Sequence, residues 1–354
     1  MAMTMLPSDE IHVAERPDIA RLRFRHFHGP EDYTGMAAAV NAVNRAAGSL
    51  EVVTTESIAR QYRNLVNSDL HDDLLIVESA AAIIGYARVE WRDGTDGARY
   101  IQTVCLLHPA HRRRGIGTAM LAWQERRMIE IAAALPDDRP SIMRAWTADR
   151  DVGAGVLMER RGWHVQGRGY EMVRPTLDGI PEIPLPDGFE VRPVRPRDER
   201  PIWDAAAEAF RDERGEGEWG EGDWERAVAD PYRDPTLWAI AWAGDEIAGG
   251  VHGRIDPEEN AHLGVRQGYI AGVWTRRPFR RRGLARALLA RVLVLLRDRG
   301  MTSAYLGVDG LNPNRALDLY EALGFVVNTS EADWSKPVPA PAAHQGDGRL
   351  ETGV

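Results

Sequence analysis

Two arginine-rich turns carry the first chemical information in this chain. One reads Arg112-Arg113-Arg114-Gly115-Ile116-Gly117 and the other Arg280-Arg281-Arg282-Gly283-Leu284-Ala285, 168 residues further on. Each follows an apolar stretch of strand character and runs straight into a helical pattern. A strand, a glycine turn and a helix make a geometry that holds a diphosphate. Turn N–H groups point inward, and the helix N-terminus adds partial positive charge. Gly115 and Gly283 admit backbone angles closed to other residues and let a ligand approach the main chain. Gly117 and Ala285 are small, as close packing of helix and ligand requires. The arginines can screen phosphate charge. A single copy of so short a motif reads equally well as a tight connection with exposed arginines.

Further landmarks repeat in the same order. Gly85 corresponds to Gly249, Gly115 to Gly283, and Gly162 in Arg161-Gly162-Trp163 to Gly324 in Leu323-Gly324-Phe325. The chain therefore reads as one fold used twice. Each half begins with helical material, at Tyr33–Ala47 and Pro201–Phe210. A strand hairpin follows, at Leu74–Trp91 and Leu237–Arg254, then a strand entering the turn, at Ala98–Leu107 and Gly268–Thr275. Helices are expected over Gly117–Ala134 and Leu284–Arg299, and strands over Ile142–Trp146 and Ser303–Val308. A shorter helix and a final strand close each half. The hairpins make this an α/β chain with a mixed, α+β-like sheet.

The second half carries one more element. After Ser303–Val308 comes Asn312-Pro313-Asn314-Arg315-Ala316-Leu317-Asp318-Leu319-Tyr320-Glu321-Ala322-Leu323-Gly324-Phe325. Arg-x-x-Gly-x-Ala followed about 40 residues later by Asn-x-x-x-Ala-x-x-Leu-Tyr-Glu-x-Leu-Gly-Phe resembles the GNAT (GCN5-related) N-acetyltransferases. The resemblance covers residues 20–174 and 188–330. The tandem arrangement with a stronger second copy looks most like the mycothiol synthase group.

The resemblance implies an acyltransferase that uses acetyl-CoA as acyl donor and no metal. The donor would lie in a V-shaped split between the fourth and fifth strands. Val273, Trp274 and Thr275 would hold the pantetheine. Arg280, Arg281, Arg282, Gly283, Leu284, Ala285 and Arg286 would bind the pyrophosphate, with Asn312 beside the pantetheine arm. Tyr320 would protonate the departing thiolate, a role that suits a phenol held on a helix. Tyr320 as a packing aromatic is the plain alternative.

In the first half Arg112, Arg113, Arg114, Gly115, Ile116 and Gly117 keep the phosphate turn. Met158 stands where Tyr320 does, and methionine donates no proton. Asn312 has no clear counterpart there. Chemistry is therefore expected in the second half, with the first binding CoA without turnover or serving as scaffold.

No acid lies in Gly268–Thr275, the strand on which many members of the family carry a base, and the mycothiol synthase group would have a glutamate close to Gly268. Asp256, Glu258, Glu259, His262 and His252 remain as candidates. The segment 208–224 alternates acids with glycine and tryptophan. It reads as a solvated loop, or as a lid whose carboxylates attract a cationic amine beneath Trp219 or Trp224. Trp123 and Trp163 read as packing residues.

Bulk properties narrow the class. A net charge of −9 argues against a general nucleic-acid binder. Cys105 is the only cysteine, so no intrachain disulfide can form. No signal-peptide pattern opens the chain and no apolar run reaches membrane-spanning length, which reads as a cytoplasmic, soluble protein. The expected layout is an extension (1–19), an N-terminal domain (20–174), a proline-rich linker (175–187), a catalytic C-terminal domain (188–330) and a disordered tail (331–354). The expected partner is a small-molecule amine, with neither nucleic acid nor membrane. A protein N-terminal or lysine acetyltransferase and a non-catalytic CoA-binding sensory module are the alternatives.

Overall fold

A computed structural model describes residues 9–63, 65–135, 139–212, 217–312 and 316–339. The first half runs β1 (Leu22–Arg25), α1 (Tyr33–Ala47), α2 (Thr55–Arg63), β2 (Leu74–Ser79), β3 (Ala82–Asp93), β4 (Arg99–Leu107), α3 (Ile116–Ala134), β5 (Ser141–Ala148), α4 (Val152–Arg160) and β6 (His164–Arg174). The second runs β7 (Glu190–Val191), α5 (Glu199–Phe210), α6 (Glu221–Val228), β8 (Trp238–Ala243), β9 (Glu246–Arg254), α7 (Pro257–Leu263), β10 (Gln267–Thr275), α8 (Leu284–Asp298), β11 (Ser303–Asp309), α9 (Ala316–Glu321) and β12 (Val326–Pro337). No helix among the described residues is long and apolar enough to cross a membrane.

Local sequence explains the elements around the turns. Leu74–Val77 are apolar and fully buried, as a strand covered on both faces must be. Helix α8 is built mostly from leucine, alanine and arginine, all strong helix formers. Its end is set by Gly300, at φ 85°, whose N–H returns to the carbonyl of Arg297. The repeated glycines have the same work in both halves. Gly115 and Gly283 have φ of 82° and 80°, and Gly162 and Gly324 have 77° and 80°. A side chain on Gly85 would strike the carbonyl of Leu106, and one on Gly249 that of Trp274.

All strands form one sheet in the order β1-β2-β3-β4-β5-β12-β6-β11-β10-β9-β8-β7. The two final strands are exchanged. The antiparallel neighbour of β5 is β12, from the second half, and that of β11 is β6, from the first. This corrects the expected disordered tail, because residues 331–337 belong to β12. Ala332 and Trp334 are buried in the first half's core, Asp333 pairs with Arg144 at 2.8 Å, and Lys336 reaches Glu125 at 2.9 Å. Residues 340–354 lie outside the described residues.

Between β6 and β7 no helix or strand forms, but the segment is not a free spacer. Leu177 is buried, and Ile180, Ile183 and Leu185 pack on the second core. Apart from residues 213–216, which lie outside the description, the segment 208–224 is likewise no solvated loop. Gly217 bridges to Gly94 and the Glu218 N–H donates to the Asp93 carbonyl, so the β3–β4 turn of the first half holds it down. Its acids face arginines: Glu208 pairs with Arg276, Asp212 with Arg277 and Arg280, Glu221 with Arg200. Trp219 and Trp224 pack on Trp203 at 4.5 and 5.7 Å between ring centres. Trp123 and Trp163 are core residues.

Candidate functional site

Each half opens a split where two parallel strands part. β4 and β5 pair only from Arg99↔Ser141 to Thr103↔Ala145. β10 and β11 pair only from Gln267↔Ser303 to Tyr269↔Tyr305. Past those pairs the strands diverge. The register of β10 against β9 slips between Ile270 and Gly272, a bulge that turns the strand just where the split begins. β4 runs against β3 without such a slip.

The turns sit at the open ends. Arg113 and Arg281 have φ of 62° and 61°, uncommon for residues with a side chain, and the glycine two residues on is also left-handed. The hydrogen bonds of α3 and α8 start at Ala119 N–H to Gly115 O and Ala287 N–H to Gly283 O. The N–H groups ahead of them therefore lack intrahelical acceptors. Such a run of amides is a concave anion site. Among the described residues, nothing beyond the glycine's own chain neighbours and helix lies within 4 Å of where a Gly283 side chain would begin, whereas Pro17 lies 3.3 Å from the equivalent point at Gly115. Pro17 thus leans on the first turn, and no described residue does so on the second.

Side-chain roles divide more sharply than the sequence indicated. The Arg280 guanidinium donates to the carbonyls of Thr275 and Ala209 and pairs with Asp212. Arg112 donates to the Leu107 carbonyl and pairs with Asp151 at 2.9 Å. Both brace the turn against its strand, a correction to their expected part in screening phosphate. Arg113, Arg114, Arg281, Arg282 and Arg286 are exposed at the turns. Ile116 and Leu284 bury their side chains, so they offer only backbone. Val273 is half-buried and packs on the second core, while Trp274 is buried beneath α5.

On α9, Tyr320 is buried against Phe325, with ring centres 6.0 Å apart. The loop from β11 to α9 begins at Gly310 and includes Asn312, whose N–H donates to the Asp309 carbonyl. Residues 313–315 are outside the description. At the matching place in the first half Met158 is buried in the core, and Asp151 caps α4 through the Ala154 N–H.

A cavity of about 1250 Å³ joins the halves. It runs from the first split, past Cys105 and Gly117, across β6 and β12, and along β11 from Tyr305 to Asp309. Its lining includes the carboxylates Glu51, Glu171, Glu259 and Glu331. Burial, then the charges of Asp333 and Glu51, push Glu331 up to about 7. Burial also pushes Glu259 up to about 7, with the Tyr305 hydroxyl acting against it and Asp256 and Glu51 adding to it. Burial and neighbouring carboxylates disfavour ionisation along this wall, and a cation placed beside it would offset that. Sequence reading missed this wall, because Glu51 and Glu171 come from one half and Glu259 from the other.

The five base candidates are placed differently. Asp256 caps α7 by accepting from the N–H groups of Glu258 and Glu259. Glu258 is exposed and accepts from Thr54 at 3.3 Å, and His262 is exposed. His252 is stacked on Trp238 at 4.3 Å, and burial lowers its imidazole to about 4. Glu259 alone of the five is both buried and part of the cavity's carboxylate wall.

Comparison with known proteins agrees with this geometry. The profile of the acetyltransferase (GNAT) family matches residues 43–142 and 201–325, one stretch in each half. A mycothiol acetyltransferase of Geodermatophilus obscurus is 30% identical over 75% of this chain and 82% of its own. That of Kineococcus radiotolerans is 32% identical over 71% and 77%. Among solved structures, a GCN5-related N-acetyltransferase from Sphaerobacter thermophilus superposes with a TM-score of 0.72 at 25% identity, covering 91% of this chain and 97% of its own. A tandem GNAT protein from the clavulanic acid biosynthesis pathway shares the fold, with a TM-score of 0.63 at 18% identity over 90% and 99%. With a family match in each half, two parted sheets and two amide-lined turns, the chain belongs to the acetyltransferase (GNAT) family and is a tandem acyltransferase.

Proposed function

We propose that the protein moves an acetyl group from acetyl-CoA to the primary amine of a small cationic molecule, by direct transfer in the C-terminal half. The observation that carries this reading is the contrast at one position: Tyr320 on α9 against Met158 on α4. Only the second half has a proton donor there.

The residues fit the donor. The amides of Arg281 to Arg286 suit a pyrophosphate, and the open approach at Gly283 leaves room for it. The parted strands past Tyr269 and Tyr305 suit the pantetheine arm, with the backbone of Val273, Trp274 and Thr275 along one side and Asn312 near the other. Acetyl-CoA brings a thioester, an activated acyl group with a thiolate leaving group. Tyr320 serves that thiolate as acid. The carboxylate wall favours a cationic acceptor, and the mycothiol acetyltransferases similar to this chain make a mycothiol-type amine the first acceptor to try.

The experiment is a calorimetric titration of acetyl-CoA into wild type, Gly283→Glu and Gly115→Glu, followed by thiol release with amines. A glutamate at the turn places a carboxylate where the phosphates would sit. We expect Gly283→Glu to abolish turnover and the binding that supports it. Binding lost only in Gly283→Glu makes the second half the sole donor site. Two sites, each lost with its own substitution, mean that the first half binds CoA without turning it over. No binding by wild type overturns the proposal.

A further inference from the structure

We infer that Glu259, on α7, is the base that takes the proton from the acceptor's ammonium group, directly or through one water. The inference rests on the acetyl-transfer reading above and supplies the group that β10 itself lacks.

Three features of the structure place it there. The carboxylate stands at the apex of the second split. The Tyr305 hydroxyl donates to both of its oxygens at 3.0 and 3.1 Å, and Tyr305 with Tyr269 is the last parallel pair before β10 and β11 part. It is held firmly. Gln267 Nε2 donates to it at 3.1 Å, and the neighbouring Asn260 exchanges two hydrogen bonds with the Gln267 backbone, 2.9 and 3.1 Å long, which staple α7 to the start of β10. It also lines the cavity that runs along β11 toward the loop from which α9 departs.

The surroundings set its proton affinity. Tyr305 and Gln267 donate to it, Asp256 and Glu51 repel it, and Tyr269, Arg254 and Glu171 line the same stretch of cavity. Burial is the largest influence, and the outcome is a carboxyl near 7, poised for proton transfer in neutral solution. The other candidate with a buried nitrogen, His252, is wedged between Trp238 and Trp274.

The protons balance. Glu259 as carboxylate accepts one proton from R–NH3⁺, and the neutral amine attacks the thioester carbonyl. The C–N bond forms and the C–S bond breaks. Tyr320 gives its proton to the thiolate sulfur and regains one from the nitrogen. Glu259 then returns its proton to solvent through the cavity. The net products are the N-acetyl compound, CoA thiol and one H⁺.

The test uses the full chain, with a mycothiol-type amine, glucosamine, spermidine and a lysine-containing peptide as acceptors. Wild type should show a kcat/KM that rises with pH through about 7, because the base works only when ionised. Glu259→Gln should lose about 10²-fold or more in kcat and lose that limb, while binding acetyl-CoA like wild type. Tyr305→Phe removes a donor to the carboxylate and should move the limb to higher pH, a shift that a purely structural role for Glu259 would not produce. Calorimetry of the accepted amine in two buffers of different ionisation enthalpy gives a second readout. Wild type near pH 7 should release a fraction of a proton on binding and Glu259→Gln none. A Glu259→Gln enzyme that keeps the limb and loses less than threefold in kcat overturns the assignment and leaves the acetyl-transfer reading standing. Wild type that turns over none of the acceptors overturns both.

Discussion

Glu125→Gln tests the most consequential packing in the fold, the return of β12 into the first half. Glu125 lies on α3 with only 10% of its side chain exposed. It accepts from Arg161 at 2.6 and 3.0 Å, from the indole of the buried Trp163 at 2.8 Å, and from Lys336 of β12 at 2.9 Å. The substitution keeps the shape and leaves an oxygen for the indole, but it removes the charge that Lys336 and Arg161 share, leaving Arg161 with Glu15 alone. Breaking a buried pair costs about 3–5 kcal/mol. Arg161 and Lys336 keep 26% and 27% of their side chains in solvent, so the figure is discounted to about 2–3 kcal/mol. Spread over the unfolding entropy of a 354-residue chain, thermal unfolding should fall by about 3–4 °C. Burial alone would raise the Glu125 carboxyl, but Lys336, Arg161 and Trp163 together hold it below its ordinary value. Its contribution is therefore present above the unfolded carboxyl's pKa and lost as pH falls through the folded one. The difference between wild type and variant should shrink on acidification. A double-mutant cycle with Lys336→Met should give a coupling of about 1 kcal/mol. A coupling of zero, with wild-type stability for Glu125→Gln, would refute the placement of β12.

Two further outcomes follow from the site. Tyr320→Phe keeps the packing on Phe325 and removes the acid, so kcat should fall by about 10²-fold with acetyl-CoA affinity unchanged in calorimetry. Unchanged turnover would remove Tyr320 from the chemistry. Cys105 is exposed where it lines the first split. Iodoacetamide at pH 7.5 should therefore modify it in the folded chain without denaturant, read by intact mass against time. A folded chain that resists modification would contradict that exposure.

The turns, helices and most strands were legible because glycine and proline punctuate them. Ile116–Ala134 and Leu284–Asp298 lie within a residue of the helices read from pattern alone. What failed was pairing. β6 and β12 both read simply as a last strand, and nothing local says which sheet edge each will join. The composition of the last twenty residues hid β12, since alanine and proline beyond Pro337 mask the alternation of Ala332, Asp333 and Trp334. The solvated-loop reading of 208–224 failed for a related reason. Acids in a run look solvated until the arginines that meet them, Arg276, Arg277 and Arg280, are brought from the next turn. The carboxylate wall was illegible in the same way: Glu51 and Glu259 stand about 200 residues apart in sequence and share one cavity.

The exchanged strands set an order of events on the ribosome. Residues of β5 wait for partners in β12 about 190 positions downstream, so the first half has its own motifs long before it can close its sheet. Until translation delivers that strand, β5 presents a bare edge to solvent and to other nascent chains. Such distant closure is slow. Premature termination anywhere after the second core, even one that spares Tyr320, would therefore injure the half of the molecule made first.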